Sequence, residues 1–404
     1  VPQATPTPLP PGVTPPPATA TPVPQATATP APTTGLRDRS QWTVENPATL
    51  AEIEAALEQF RGDNFVFVSW GGAYGGAQRQ AFIIPFQDKF GIEIIEDTIP
   101  SAAKIRAMAE TGNVTWHVFD TGGVTIFQLG ETGDLEELDF SIIDNRDFLE
   151  VTRTPWSAGG GITWSEVWAY STETYPDGGP QPKTMADIYD TDKFPGRRGW
   201  TYYPEPDMKF VLLADDPSLL DTPQGRASLS SLTPEQEDRA FELFDQYRDQ
   251  VTLIWATGSD CPQLLLSGEL DMCTAWNGRI FDAQQEGASL KVCWECGHVI
   301  NTDSWAIPRG LKEQDPDKFY LSQLFIAWTS FPEINAQISL YITYGPVNTR
   351  SLPVLEGSEF DAVRDELPSS AANIPFAVIQ DELLAGQRAD VLFERYTAFL
   401  QSLD

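Results

Sequence analysis

Aromatic residues gather with acids at several points along this chain: Trp70 and Tyr74 around a glycine run, Trp164 two residues before Glu166, Trp276 at the head of Trp276-Asn277-Gly278-Arg279, and Asp303 two residues before Trp305. Aromatic faces attract cations and carboxylates neutralise them, so the recurring combination suits an amine held in a partly desolvated cleft. Any single tryptophan is more often core packing, since Trp is highly buried on average. What points to a site is the convergence of the set on the ends of predicted strands, where open α/β sheets bind ligands.

Other chemistries fit less well. There is no Gly-x-Ser-x-Gly nucleophile elbow, and His117 and His298 are too few for a His-rich zinc site and lack a triad context. Glu166 and Asp303 can be paired as glycosidase-like carboxylates, but among 58 acids such a pair arises by coincidence. Gly71-Gly72-Ala73-Tyr74-Gly75-Gly76 lacks both the GxGxxG spacing and the Walker lysine, and reads as a tight turn or a cleft loop. No cofactor, metal or enzymatic activity is expected. Cys261, Cys273, Cys293 and Cys296 are separated by eleven, nineteen and two residues, too wide at the first pair for a zinc ribbon. They suit disulfides in an oxidising compartment, with 261–273 and 293–296 the local pairing to test.

The elements that must position these residues are α/β. Hydrophobic residues make up 41% of the 404 and aromatic ones 11%, enough for two globular units. The formal charge of −32 makes duplex nucleic acid or an anionic membrane an improbable partner, while a solvated acidic surface explains the same charge. Residues 1–36 are uncharged and rich in Pro, Thr and Ala, and read as a disordered stalk, with the linker drawn to residue 40. Beyond it, periodicity predicts helices over 47–60, 82–90, 102–111, 124–130, 208–214, 234–248, 260–267, 278–286, 316–330, 332–342 and 389–402. Predicted strands cover 65–70, 92–95, 117–119, 161–170, 253–255 (ending on Trp255), 271–276, 290–294 and 303–307. No run of about 18 apolar residues is present to span a membrane.

The chain resembles the extracytoplasmic solute-binding proteins of spermidine/putrescine-type ABC transporters. The matching stretches fall in the family's order between about residues 60 and 400: Ser69-Trp70-Gly71-Gly72-Ala73-Tyr74, Pro85-Phe86, Phe90-Gly91-Ile92, Lys193-Phe194-Pro195-Gly196-Arg197-Arg198, Asp238-Arg239-Ala240-Phe241, Gln263-Leu264-Leu265 with Gly268-Glu269, Trp276-Asn277-Gly278-Arg279 and Gly345-Pro346-Val347-Asn348. The resemblance implies a two-lobed periplasmic-binding-protein fold of type II, each lobe a mixed sheet flanked by helices. Lobe 1 would hold 41–155 and 304–345, and lobe 2 would hold 156–303 and 346–404. It further implies a monomer that captures a polyamine such as putrescine or spermidine by hinge closure and delivers it to an ABC permease.

The family's cleft pattern falls on Trp70, Asp120, Thr121, Asp207, Trp276, Asp303 and Tyr344, beside Tyr74, Glu166 and Trp255 from the aromatic and acidic pattern. Asp207 and Asp303 would take ammonium groups. Two departures stand out: His117 replaces an acid, and Leu383-Leu384 stand where the family has an aromatic after Glu382, at the far end of a long polyamine. Lys209, near Asp207, could neutralise that acid or bind a carboxylate, so a zwitterionic amino acid is the alternative ligand. The chain starts at Val1 without Met or a signal peptide, so a preceding segment is expected to have been removed, and the family's lipidated cysteine, the expected membrane tether, would precede Val1.

Overall fold

Short runs of aromatic and β-branched residues such as Phe65-Val66-Phe67-Val68 supply the strands. In the computed structural model, which describes residues 35–357 and 359–403, eleven strands join one mixed sheet. They are β1 Asn64–Ser69, β2 Glu93–Thr98, β3 Val118–Gly122, β4 Ser157–Ser171, β5 Arg198–Thr201, β6 Val251–Trp255, β7 Met272–Trp276, β8 Leu290–Val292, β9 His298–Ala306, β10 Gly345–Pro346 and β11 Ala377–Ile379. The order along the sheet is β2-β1-β3-β9-β4-β7-β5-β6, with β8 and β10 on β4 and β11 on β9.

Pairing is parallel at both ends, β1 with β2 and β3, and β5 with β6 and β7, as expected where strands alternate with helices. In the middle, β4 and β9 run antiparallel to each other and to their outer neighbours β7 and β3. These two strands therefore connect the parallel ends. The apolar interior divides around them. One cluster draws on Phe65, Phe82, Phe86, Trp305, Phe325 and Ile338. A second gathers Trp168, Trp200, Met208, Phe244, Tyr396 and Phe399, and a third Trp255, Cys261, Cys273 and Ile280. Aromatic stacking tightens the first, with Trp305 and Phe325 centroids 5.1 Å apart.

Several elements differ from the sequence expectation. The 303–307 strand is the longer β9, so Asp303 lies inside a strand rather than opening one. Its Asn301-Thr302-Asp303 run looks like a loop by composition, yet each side chain has a partner: Val299 O for Asn301, Glu382 for Thr302 and Trp164 for Asp303. The last helix starts at Glu382 rather than 389, because the Asp381 carboxylate caps it by accepting the Leu384 N–H at 3.1 Å. The 332–342 helix breaks into Pro332–Asn335 and a 3-10 segment Ala336–Leu340. Strands β5, β10 and β11, of four, two and three residues, were too short to show a period.

Most of the expected stalk, residues 1–34, lies outside the described residues. The expected linker boundary at 40 is too late, because Arg37 already forks onto Glu52, with Nη2–Oε2 at 2.7 Å and Nε–Oε1 at 2.9 Å. That guanidinium holds the Glu52 carboxyl down at about 2. No helix among the described residues is long and apolar enough to cross a membrane.

Candidate functional site

A cavity of about 190 Å³ lies where β4 and β9 pass between the cores. Its floor follows from strand alternation, which places every second residue on one face. Ile162, Trp164 and Glu166 of β4 line the cavity, and their register partners Asp303, Asn301 and, on β7, Trp276 line it too. The intervening Ser165 points away and bonds His298 Nδ1 at 2.8 Å.

Aromatic rings wall the space. Trp276 meets Trp164 edge-on at 5.7 Å and Trp70 at 6.2 Å, and Tyr74 meets Tyr344 at 5.4 Å. Tyr203 also lines it. Such faces hold a cation or stack on methylenes.

Four acids enter this apolar space. Asp303 Oδ1 accepts the Trp164 indole N–H at 2.7 Å. Burial pushes its carboxyl above the usual range, against the opposing pull of the Trp164 and Trp70 indoles. Glu166 is pushed up to about 8 by burial, and its Oε1 has no hydrogen-bond partner among the described residues. Glu205 is likewise raised by burial, with Oε1 unpartnered. Glu382 accepts from Thr302 N at 2.6 Å and from Thr302 Oγ1 at 2.7 Å, yet burial still lifts it to about 8.

One cation faces the same space. Arg279, from the Asn277–Gln285 helix, donates to the Gly71 carbonyl at 3.2 Å and sits 5.9 Å from the Trp276 ring centroid. Gly71 and Gly72 have φ of 65° and 56°, which glycine adopts at least cost. A Cβ on Gly72 would come within 2.8 Å of Arg279 Nη1, so the bare backbone makes room for the guanidinium. Its Nε is buried without a hydrogen-bond partner among the described residues. The site can therefore neutralise an ammonium and receive a carboxylate.

Of the residues singled out in the sequence, Trp70, Tyr74, Thr121, Glu166, Trp276, Asp303 and Tyr344 come together at the cavity, while Asp120, Asp207 and Trp255 do not line it. Asp120 alternates with Thr121 on β3 and points below, where its Oδ2 accepts from Gln78 Nε2 at 2.6 Å and Ser69 Oγ at 3.1 Å. Asp207 is fully buried beneath the helix Pro204–Asp215, accepting the Thr201 N–H at 3.0 Å. Two residues along a helix turn the side chain by about 200°, so Glu205 faces the cavity and Asp207 faces away. Trp255 buttresses Trp276 at 5.8 Å and donates to Thr274 Oγ1 at 3.0 Å.

Lys209 does not pair with Asp207; it bonds Gln380, and its charge acts on Glu205. Both histidines are structural, with His117 Nδ1 accepting the Val66 N–H at 2.9 Å. Cys293 and Cys296 form a close pair, with Cα atoms 5.3 Å apart, whereas Cys261 and Cys273 are free and buried in the third core.

Sequence reading gave no role to Tyr203, Glu205, Arg279 or Glu382, and Trp164 entered it only within the aromatic and acidic set. Arg279 and Trp164 stood inside quoted stretches, but nothing local marks their direction. Among the described residues no His, Cys, Asp and Glu grouping could hold a metal ion.

Comparison with known proteins agrees with this geometry. The family model for bacterial extracellular solute-binding proteins matches residues 81–362. The gamma-aminobutyric acid-binding protein of Pseudomonas aeruginosa is 30% identical over 347 residues, covering 85% of this chain and 93% of its own length. An ABC transporter substrate-binding protein from Bradyrhizobium japonicum shares 31% identity at a TM-score of 0.73, over 83% of this chain and 99% of that one. A putative spermidine/putrescine ABC transporter protein from Listeria monocytogenes aligns at a TM-score of 0.61 with 17% identity, over 83% of this chain and 99% of its own, a likeness of fold alone. The architecture is thus the expected two-lobed periplasmic-binding-protein fold, while the finer spermidine/putrescine type is not carried by these matches. The chain belongs to the bacterial extracellular solute-binding proteins, which hold a small molecule outside the cytoplasm for an ABC permease.

Proposed function

We propose that this receptor captures a small ω-amino acid of the length of γ-aminobutyrate, with its ammonium at Glu166, Glu205 and Asp303 and its carboxylate at Arg279. The observation that carries the reading is Arg279, whose buried Nε lacks a partner among the described residues and which lines the same cavity as the acids. A guanidinium matches a carboxylate with paired N–H donors, whereas it repels the second ammonium of a diamine. Trp70, Trp164 and Trp276 cover the methylenes between the charged ends. The Pseudomonas aeruginosa relative, by its name a γ-aminobutyrate binder, supports the same ligand class.

A short diamine such as putrescine is the second reading, favoured by four cavity acids against one arginine. Calorimetric titration separates the two, because γ-aminobutyrate and putrescine present similar chains with one end exchanged. Saturable one-to-one binding of γ-aminobutyrate, with putrescine at least tenfold weaker, is expected. Tighter binding of putrescine would overturn the assignment of Arg279, and turnover of either compound would overturn the receptor itself.

A further inference from the structure

The C-terminal helix Glu382–Gln401 belongs to one core and touches an element of the other. Leu392, Tyr396 and Phe399 are buried in the second core. Its Tyr396 hydroxyl donates to Thr201 O at 3.0 Å, and Arg388 pairs with Glu237 at 2.6 Å. The helix Gly123–Glu131 sends Ile126 and Leu129 into the first core instead. The two helices nevertheless meet along matched stripes. Glu382, Gly386 and Asp390 recur every four residues and so share one helix face, and so do Val124 and Gln128 across from them.

Each step of the stripe is a close approach. A Cβ on Gly123 would overlap the Glu382 carboxyl, and a Cβ on Gly386 would lie 3.2 Å from Val124 O and 3.4 Å from Phe127 Cβ. At the outer end Gln128 Nε2 donates to Asp390 Oδ1 at 3.1 Å. The inner end borders the ligand site, since Gly123 and Glu382 both line the cavity.

We infer that this seam is a latch: it joins the two lobes over the cavity when the cleft is shut, and it must part before a ligand can enter or leave. Its construction suits that work. Apart from Glu382 on Thr302, the face consists of close glycine approaches and one exposed hydrogen bond from Gln128 to the Asp390 carboxylate, contacts that separate without stranding a buried charge. The helix moves with the second core, which holds it by ion pairs and aromatic packing, while Gly123–Glu131 stays with the first. The latch rests on the cavity being the ligand site but not on which ligand fills it.

The test uses the full chain carrying Gln128→Cys and Asp390→Cys, treated with a short bismaleimide. The unsubstituted chain is treated in parallel to account for Cys261 and Cys273. A 128–390 link is expected in ligand-free protein by peptide mass spectrometry. Adding Gly386→Val should slow its formation at least fivefold while the protein still melts cooperatively. If Gly386→Val does not fold, Gly386→Ser puts a smaller side chain against Val124 and should slow linking at least twofold. Small-angle scattering of the linked, ligand-free protein should give a radius of gyration smaller than the unlinked protein's by roughly 5%.

Absence of the link, linking unaffected by the glycine substitution, or equal radii would each overturn the latch. γ-Aminobutyrate and putrescine serve as probes in a separate arm, where the true ligand should speed linking. If neither does while the other results hold, the latch stands and the proposed ligand class falls.

Discussion

Binding should release a proton, and Glu166 should be its main source. Burial lifts this carboxyl to about 8, so in the ligand-free protein at pH 7 only about one in ten molecules carries it ionised. An arriving ammonium needs the carboxylate form. Ionising Glu166 at pH 7 costs about 1.4 kcal/mol, while a charge-assisted hydrogen bond to a desolvated ammonium returns roughly 1.5 to 3 kcal/mol. The net gain at pH 7 is then about 0 to 1.6 kcal/mol, and Glu166→Gln should weaken binding by no more than about fifteenfold. At pH 9 the group is already ionised and the full bond is lost, so the same substitution should cost about ten- to a hundredfold.

Calorimetry with γ-aminobutyrate at pH 7 in phosphate and in Tris gives the proton count from the difference in heats. About 0.9 proton fewer should be released by Glu166→Gln than by the unsubstituted protein. The sign for stability follows from the same shift. The folded-state value lies above the ordinary 4.5, so the stability present below about 4.5 is lost as pH rises toward 8. Ligand-free Glu166→Gln should therefore melt higher than the unsubstituted protein at pH 8 and equally at pH 4. Identical proton counts, or a lower melting temperature at pH 8, would refute the placement of Glu166 as a buried, ligand-ionised acid.

Arg279→Gln should weaken γ-aminobutyrate binding by about a hundredfold, since a charge-assisted pair of N–H donors is lost, and should leave putrescine unchanged or tighter by calorimetry. Asp303→Asn and Asp207→Asn should behave oppositely: the first lowers affinity about tenfold or more because it removes a cavity charge, while the second leaves affinity within twofold. Deleting residues 1–34 should leave the melting temperature unchanged, whereas deleting through residue 40 should lower it because the Arg37 fork on Glu52 goes with it.

The parts of this molecule legible in one dimension are those whose signal is local. The Phe65-Val66-Phe67-Val68 run, the glycines after it and the periodic helix Pro234–Tyr247 announce themselves, because strand and helix periods are written over a few consecutive residues. The pairing of Trp164 with Glu166 was also readable, since an i, i+2 spacing on any strand puts both on one face. What could not be read is phase and reach. Asp207 and Glu205 differ only in where Pro204 starts the helix, and that phase decides which acid faces the cavity. Asp120 and Thr121 differ by the same kind of single step on β3.

The deepest omission concerns contacts that no spacing encodes. The Trp164 indole and Asp303 are 139 residues apart, and Arg279 and the Gly71 carbonyl are 208 apart. The first pair is joined by β4 and β9, the strands that connect the parallel ends of the sheet, and the second lies where those two ends meet at the cavity. At that junction Glu166, Glu205 and Arg279 each leave an atom without a hydrogen-bond partner among the described residues. Elsewhere burying a carboxylate without a partner costs stability with no return. Between two lobes joined by two long strands, the proposed ligand would supply the partners that Glu166, Glu205 and Arg279 lack. A chain tuned only for stability would replace them, and under the proposed function the cost they impose on the empty protein is offset when the ligand binds.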